Sequence, residues 1–527
     1  MENNNNDFID DSKSNEGVEV SSDGTGAAAA KVSKIDAFFG VTKNGSNIRT
    51  EIIAGLVTFL SMCYILTLNP TIIVGPGSSL WASVFIATAL GAIIGTFIMA
   101  VFGKMPFALA SGLGLNSMVS LLISGVLIKE KVFSYGTAMF LVFISGILFL
   151  IISLVPVKRN KITGEKQTLR ELVFIGMPLP VRKAISVGIG LFIAFIGLQN
   201  AGIIVDSPAT LVTLLDLNDP ANWELGGAGC AAMVAIIGFI VISVLSAFKV
   251  KGSIIIGILV ATVVAIPLKV TSFDTLIGKG DVSWAFWENF ANYFKAPSEG
   301  GVFLALFRDL NFPQGAFMSC VMVVITFSMI DMFDTMGTVV GCATNAGLID
   351  ENGKPFHYNR IMMSDSIATV IGSFFGTSTV TTFVESGSGI AAGGKTGLTA
   401  LTTSVLFLLS IFLLPVFAFI PASACAAALF YVGVLMMGNI KDIDFTNPLS
   451  AVPAFATIIF MPLAYSITDG IGIGMLTYVI VSLLVYVEEY VRFKKGKREI
   501  RPELNVSLIA IIFGLLFLVY FFVPINL

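Results

Sequence analysis

The sequence predicts an all-α polytopic membrane protein of about fourteen transmembrane segments, built as seven plus seven segments in inverted repeats. Of the 527 residues, 55% are hydrophobic and only 12% are charged. The mean hydropathy is +0.90, outside the usual composition of soluble domains. Apolar runs recur from Ile52 to Val523, and each long run matches the roughly 20 residues that a helix needs to cross a bilayer. The basic residues of the loops also follow a single-sided pattern.

The order of the segments follows from these runs and from the loop charges. Fourteen runs are predicted to cross the membrane, near 50–74, 81–103, 107–127, 133–155, 181–205, 228–248, 253–270, 313–342, 359–376, 380–395, 398–420, 422–440, 450–467 and 470–491. With a cytosolic N-terminus, the basic clusters fall on the cytosolic side, whereas the loop 206–224 carries acids and no base. We therefore expect an integral protein of the plasma membrane with its N-terminus in the cytosol.

The two ends of the chain differ from these segments. Residues 1–34 are polar and contain no apolar core of the kind that a cleaved signal peptide requires. We expect them to form a disordered cytosolic tail. Residues 504–527 form a fifteenth apolar segment, which either spans the membrane or lies at the periphery.

The third and tenth segments are short and interrupted by glycine. They contain Ala108–Asn116 and Thr381–Lys395, and each is the third of seven segments if the chain is divided between Val270 and Phe312. Short, broken segments at matching places in two halves indicate a binding site where the repeats meet. An odd number of segments per half also forces the halves into opposite orientations. Glycines in membrane helices often serve helix packing alone, but the adjoining Glu385 and Asn116 favour a site.

Three carboxylates stand out in apolar stretches of the predicted segments: Asp331 and Asp334 in Met318–Val340, and Glu385 in Thr377–Ala392. An acid within the hydrocarbon region is costly and marks a functional site by default. Asp331 and Asp334 share one helix face, about a turn apart. Because two such carboxylates repel each other when both are ionised, one is expected to hold a proton, as proton symport requires. The alternative is that one acid only fixes the position of the helices.

Enzymatic and metal-binding functions are not expected. Gly389–Thr396 matches the phosphate-loop pattern G-x-x-x-x-G-K-[ST], but no soluble α/β domain is present to hold a nucleotide, and Lys395 is better explained as a cytosolic anchor. His357 is the only histidine, and the five cysteines have no metal or disulfide spacing. With no nucleophile and base pair, we expect neither catalytic residues nor a metal site. No nucleic-acid partner is expected either.

Four motifs carry a resemblance to a known family. Arg49–Pro70, Gly112–Asn116, Asp331–Thr338 and Glu385–Leu398 resemble the AzgA-like purine permeases of the nucleobase–cation symporter (nucleobase/ascorbate transporter) group. The resemblance covers about residues 34–493. The uracil-type branch has a histidine on the eighth segment, and its absence here agrees with the AzgA-like branch. The chain departs from the motifs at Ser117, Gly387 and Lys395, where the family more often has Ala, Ala and Arg.

The resemblance implies a fold of two domains and a set of site residues. The implied domains are a core (35–175 and 313–420) and a gate (176–312 and 421–503). Asn116, Asp331 and Glu385 would contact the purine, and Asp334 would support proton coupling or helix position. Accessory positions are expected at Phe333, Phe383, Ser386, Gly387 and Thr338, although packing is the commoner role of such phenylalanines.

The function that the resemblance implies is import of purine nucleobases. The substrates would be hypoxanthine, guanine and often adenine, moved with protons by an elevator-like alternating-access motion. No cofactor is expected apart from the coupling proton, and a homodimer through the gate domain is plausible from the resemblance. Two alternatives stay open: an anion carrier of the same architecture, and a nucleobase receptor that binds without transporting.

Overall fold

The fold is known from a computed structural model. It describes residues 33–75, 77–125, 132–159, 166–170, 176–208, 210–250, 252–271, 282–349, 355–495 and 506–522. Most of the tail expected at 1–34 therefore lies outside the described residues, and the first helix begins at Lys34.

Helices dominate both halves of the chain. The first half forms α1 (Lys34–Phe39), α2 (Ile48–Met62), α3 (Ile65–Val74), α4 (Trp81–Ile98), β1 (Leu109–Ser111), α5 (Leu113–Ile123), α6 (Tyr135–Leu154), β2 (Pro156–Arg159), β3 (Lys166–Thr168), α7 (Leu179–Asn200), β4 (Ile204–Ser207), β5 (Leu211–Leu214), α8 (Ala228–Ala247), α9 (Ser253–Ala265), α10 (Phe286–Tyr293) and α11 (Ala305–Arg308). A π-helical turn, Met99–Gly103, extends α4.

The second half begins with the longest helix that the structure describes. Its elements are α12 (Phe317–Ala346), α13 (Tyr358–Phe375), β6 (Val380–Thr382), α14 (Ser386–Ala391), α15 (Gly397–Ser410), α16 (Leu414–Ala418), α17 (Ala422–Met437), α18 (Pro448–Leu463), α19 (Ile467–Lys494) and α20 (Leu508–Phe522). Short 3₁₀ turns occur at Pro220–Trp223, Pro297–Glu299, Ile411–Leu413 and Gly438–Asp442.

Many of these helices are suited to a lipid environment. Within the described ranges, eight helical stretches are long and apolar enough to cross a membrane, and four further apolar helices are shorter. The short ones include α5, which belongs to the third predicted segment, and α20 near the C-terminus. The helix α20 packs along α19, where Phe517 and Phe521 lie against Gly472. Its 15 residues span about 22 Å, less than the hydrocarbon thickness of about 30 Å.

The helices pack in two groups. One group contains α2, α4, α6, α12, α13 and α15, and the other contains α7, α8, α9, α17, α18 and α19. The pairing repeats between the halves: α6 packs on α13 as α15 packs on α4, and α8 packs on α17 as α18 packs on α7. If each predicted segment is replaced by the segment seven places away in the order, the pair α6 and α13 becomes α15 and α4. In the same way the pair α8 and α17 becomes α18 and α7. The contacts thus reproduce the predicted two-repeat organisation.

The two broken segments meet at the centre of the first group. Strands β1 and β6 pair in antiparallel register, with Leu109 opposite Thr382 and Ser111 opposite Val380. Each strand leads directly into a short helix, α5 or α14. Extended backbone survives at membrane depth only when its polar groups are paired within the protein, and here each broken segment supplies the partner of the other. The predicted strand-plus-half-helix form of both segments is confirmed.

A buried carboxylate fastens the tenth segment to the first. Glu51 is fully buried on α2 and accepts hydrogen bonds from the backbone N–H groups of Lys395 (3.0 Å) and Thr396 (3.2 Å). The hydroxyls of Thr396 (2.9 Å) and Thr399 (2.6 Å) donate to the same side chain. The backbone amides of Lys395 and Thr396, at the end of the phosphate-loop pattern, are therefore engaged by a side chain of the protein itself.

We expect Glu51→Ala to lower the thermal stability of the purified protein. The substitution leaves the buried N–H of Thr396 and the half-buried N–H of Lys395 unpaired, and an unpaired buried group costs about 1–3 kcal/mol. Lys395→Ala is the matched control, because its side chain is exposed and its contact with Glu51 uses only the backbone. Equal melting temperatures for Glu51→Ala and the wild type would contradict the anchoring role.

Candidate functional site

An open cavity lies where the two broken segments meet. It encloses about 400 Å³ of space, part of it open to solvent. The segment around β1 contributes Gly112, Leu113 and Gly114, and the segment around β6 contributes the run from Thr381 to Glu385. The crossing of the strands thus brings backbone and side chains from both halves of the chain to one site.

Glu385 provides a carboxylate at the edge of this cavity. It directly precedes α14 and is 6% exposed. The Tyr64 hydroxyl, between α2 and α3, donates a hydrogen bond of 2.5 Å to Glu385 Oε1. Tyr64 also lines the cavity. The phenol therefore holds the carboxylate in place at the edge of the cavity.

The helix α12 adds Asp334 and Thr338, which lie four residues apart on one face and both line the cavity. Asp331 is three residues before Asp334 but is not among the lining residues. It is buried, 1% exposed, and its Oδ2 accepts a hydrogen bond of 3.1 Å from the Thr369 hydroxyl on α13. Of the two acids on α12, the structure places Asp334 at the cavity and Asp331 behind it.

A fourth buried acid, Asp365 on α13, lies close to Asp331. The Thr335 hydroxyl donates to Asp365 Oδ2 at 2.7 Å, and Thr382 donates its backbone N–H to Asp365 Oδ1 at 3.1 Å. Since Thr382 also lines the cavity, one residue connects Asp365 to the site. Asp365 was not predicted as a site residue, although it is a carboxylate in a predicted membrane segment, the same signal that identified Asp331, Asp334 and Glu385.

Asn116 lies in a buried hydroxyl network rather than at the cavity surface. Its Oδ1 accepts hydrogen bonds from the hydroxyls of Ser111, at 3.0 Å, and of Ser378. Its Nδ2 has no hydrogen-bond partner within the described part of the chain. The network continues through Thr377 to Asn69. Asn116 therefore supports the strand crossing from behind.

The accessory positions divide into two sets. Phe383 and Thr338 line the cavity. Ser386 instead bonds the backbone of Ala108, accepting from its N–H at 3.0 Å, and Gly387 lies near Cys342 rather than at the cavity. Phe333 is on α12, but its side chain lies outside the described residues.

The opposite wall of the cavity is apolar. Ile189 and Ile193 on α7 and Val432 and Met436 on α17 form it. Both helices belong to the second group, so the cavity lies between the two groups of helices. In the described part of the cavity wall no basic side chain is present. This arrangement suits an uncharged, partly apolar molecule with N–H donors for the carboxylates.

Comparison with known proteins places the chain in a family. A family sequence model for permeases of the xanthine/uracil type, described as a permease family, matches residues 49–473 of this chain. The chain belongs to this permease family. It is therefore an integral membrane transporter and not an enzyme.

Relatives in this permease family are similar over nearly their whole length. A putative permease of Methanocaldococcus jannaschii is 37% identical over 450 residues, covering 85% of this chain and 92% of that protein. The adenine permease AdeQ of Escherichia coli is 32% identical, and the match covers 88% of this chain and 94% of AdeQ. The guanine/hypoxanthine permease PbuO of Bacillus subtilis is 34% identical, and the match covers 92% of this chain and 100% of PbuO.

Solved structures confirm the fold of this permease. The transmembrane domain of the cyanobacterial bicarbonate transporter BicA superposes with a TM-score of 0.54 at 15% identity, covering 80% of this chain and 97% of that domain. The structure of SLC26A9 gives a TM-score of 0.53 at 11% identity, and the superposition covers 89% of this chain and 73% of SLC26A9. At these identities the likeness concerns the fold alone.

Proposed function

We propose that this permease is a secondary active transporter that imports purine nucleobases by proton symport, through an elevator-like alternating-access motion. The observation that carries the proposal is the cavity between the two groups of helices, which combines Glu385 and Asp334 with an apolar wall and has no basic side chain among its described residues. Relatives named as adenine and as guanine/hypoxanthine permeases support the same class of substrate.

The chemistry of the cavity matches a purine. The ring N–H and exocyclic amino groups of a purine are donors, and the Glu385 carboxylate is an acceptor. The N-terminus of α5, at Leu113 and Gly114, offers backbone N–H groups to a carbonyl oxygen of hypoxanthine or guanine. Phe383 and the isoleucines of α7 would cover the faces of the ring.

The geometry changes the proposed roles of the two acids on α12. The family resemblance implies substrate contact for Asp331 and a supporting role for Asp334. Because Asp334 lines the cavity and Asp331 is buried beside Asp365, we propose that Asp334 and Glu385 face the purine. Asp331 and Asn116 would act from behind the strand crossing.

The remaining parts of the proposal concern direction and assembly. Movement of the first group of helices against the second would carry the cavity between the two sides of the membrane, which makes the predicted core and gate domains the moving parts. The transporter would reside in the plasma membrane with a cytosolic N-terminus. A homodimer through the gate domain is proposed from the resemblance alone.

Uptake of labelled hypoxanthine, guanine and adenine by cells without their own purine transporters tests the function. We expect uptake of at least one purine that a protonophore abolishes. Delivery to the membrane without purine uptake, but with uptake of sulfate or bicarbonate, would replace the proposal with an anion carrier. Purine binding without flux in reconstituted vesicles would identify a receptor.

A further inference from the structure

An arginine is fully buried at the side of the strand crossing away from the cavity. Arg170 follows β3, and its guanidinium stacks on Phe149 at 3.9 Å from the ring centroid. Its Nη1 donates to Ser153 Oγ (3.3 Å) and to the carbonyl of Met362 (3.2 Å). Its Nε and Nη2 have no hydrogen-bond partner in the described structure. A buried guanidinium is costly unless opposite charge lies nearby.

Asp331 and Asp365 supply that charge. The carbonyl of Met362 accepts from Arg170, and the hydroxyl of Thr369 donates to Asp331. Met362, Asp365 and Thr369 occupy successive turns of α13, so both carboxylates lie near the guanidinium and near each other. Asp331 Oδ1 is buried without a hydrogen-bond partner among the described residues. Among the described residues, the other titratable groups that face the cluster are Asp334, one turn along α12, and Tyr358, beside Arg170, with Arg182 next to Tyr358.

The cluster is connected to the cavity but separate from it. Neither Asp331, Asp365 nor Arg170 lines the cavity. The link is Thr382, which donates both its N–H (3.1 Å) and its hydroxyl (3.3 Å) to Asp365 Oδ1 while it lines the cavity from β6. Asp334, one turn from Asp331 on α12, also lines the cavity. Thr382 and Asp334 therefore join the pair to the wall of the cavity.

We infer that Arg170 is a positioning residue that sets the charge of the Asp331–Asp365 pair, so that the pair takes up and releases a single proton. With both acids ionised, the three residues carry a net charge of −1, and one proton on a carboxylate oxygen makes them neutral. The inference rests on the proposed function in one respect, namely that this proton is the one moved with the purine. The proton would enter from the outer solution and leave to cytosolic water.

The test follows protonation and transport separately. The infrared carboxyl band of the purified protein is measured against pH, and the pH profile of purine uptake is measured in vesicles. We expect Arg170→Gln to move the midpoint of both profiles to higher pH by about 1–3 units, because an adjacent opposite charge shifts protonation by that amount. The double variant Arg170→Gln, Asp365→Asn restores a net charge of −1 and should return the midpoint toward the wild-type value.

Two further variants keep the test decisive. Arg360→Gln is the matched control, since Arg360 is exposed on α13, the helix that carries Asp365, and it should shift neither profile. If Arg170→Gln does not fold, Asp365→Asn alone should move the infrared midpoint to lower pH, because Arg170 then faces one carboxylate. An infrared midpoint that is the same in the wild type and in Arg170→Gln, or in Asp365→Asn, would overturn the inference. Absence of purine uptake by the wild type would instead overturn the proposed function and leave the infrared result valid.

Discussion

Glu385→Gln is expected to reduce purine uptake about 10–100-fold while the protein still reaches the membrane. The amide can still accept the hydrogen bond from Tyr64, but it presents an N–H₂ group to a ligand that also offers N–H donors. A hydrogen bond to a charged group contributes about 1.5–3 kcal/mol, and losing one bond of that strength accounts for a reduction of uptake of about 10–100-fold. The measurement is the initial rate of labelled hypoxanthine uptake, normalised to the amount of protein in the membrane.

A control and a milder variant sharpen this result. Glu288→Gln removes an exposed acid on α10, outside the cavity lining, and should leave uptake unchanged. Tyr64→Phe removes only the hydroxyl that holds Glu385 and should cost less than Glu385→Gln. Wild-type uptake kinetics in Glu385→Gln would exclude this carboxylate from the binding site.

Gly389→Ala is expected to lower uptake by about tenfold or more, whereas Gly387→Ala, two residues away, should be tolerated. A Cβ on Gly389 would overlap the Thr58 hydroxyl and lie 2.7 Å from the carbonyl oxygen of Ala54, so α14 must move away from α2. Overpacking of this kind costs about 1–3 kcal/mol. A Cβ on Gly387 meets only Cys342 Sγ, at 3.9 Å. Uptake and thermal stability of the two variants are compared in parallel.

The comparison of the two glycines separates packing from general intolerance of the segment. Loss of uptake in both variants would show that a methyl group added at either glycine of α14 disturbs the site. Normal uptake in both would show that α14 is free to shift. Only a difference between them supports the close contact of α14 with α2 as the feature that positions Glu385.

The broken segments and Glu385 could be predicted from the sequence because their signals are local. A glycine in a short apolar run and a carboxylate in a hydrophobic membrane-spanning segment are both visible without any tertiary information. The separate roles of Asp331 and Asp334 could not be predicted in this way. Their spacing places them on one helix face, but the rotation of α12 against α13 decides which acid meets the cavity and which is buried.

Arg170 marks the limit of prediction from sequence. It lies in a basic stretch between the fourth and fifth segments, where a charged residue is ordinarily a cytosolic anchor. Its burial depends on its contacts with α6 and α13, which no local pattern encodes. Tyr64 was missed for a similar reason, since its partner Glu385 is 321 residues away in the chain.

The pairing of β1 with β6 also bears on how the protein is synthesised. Leu109 and Thr382 are partners, so the first strand leaves the ribosome long before the second exists. At about 5–20 residues per second, the delay is roughly 14–55 s. During that time Leu109 can already bond to the Thr96 hydroxyl, but the backbone groups that pair with β6 have no partner, and lipid cannot supply one. The site at the strand crossing is therefore complete only once translation has passed residue 382.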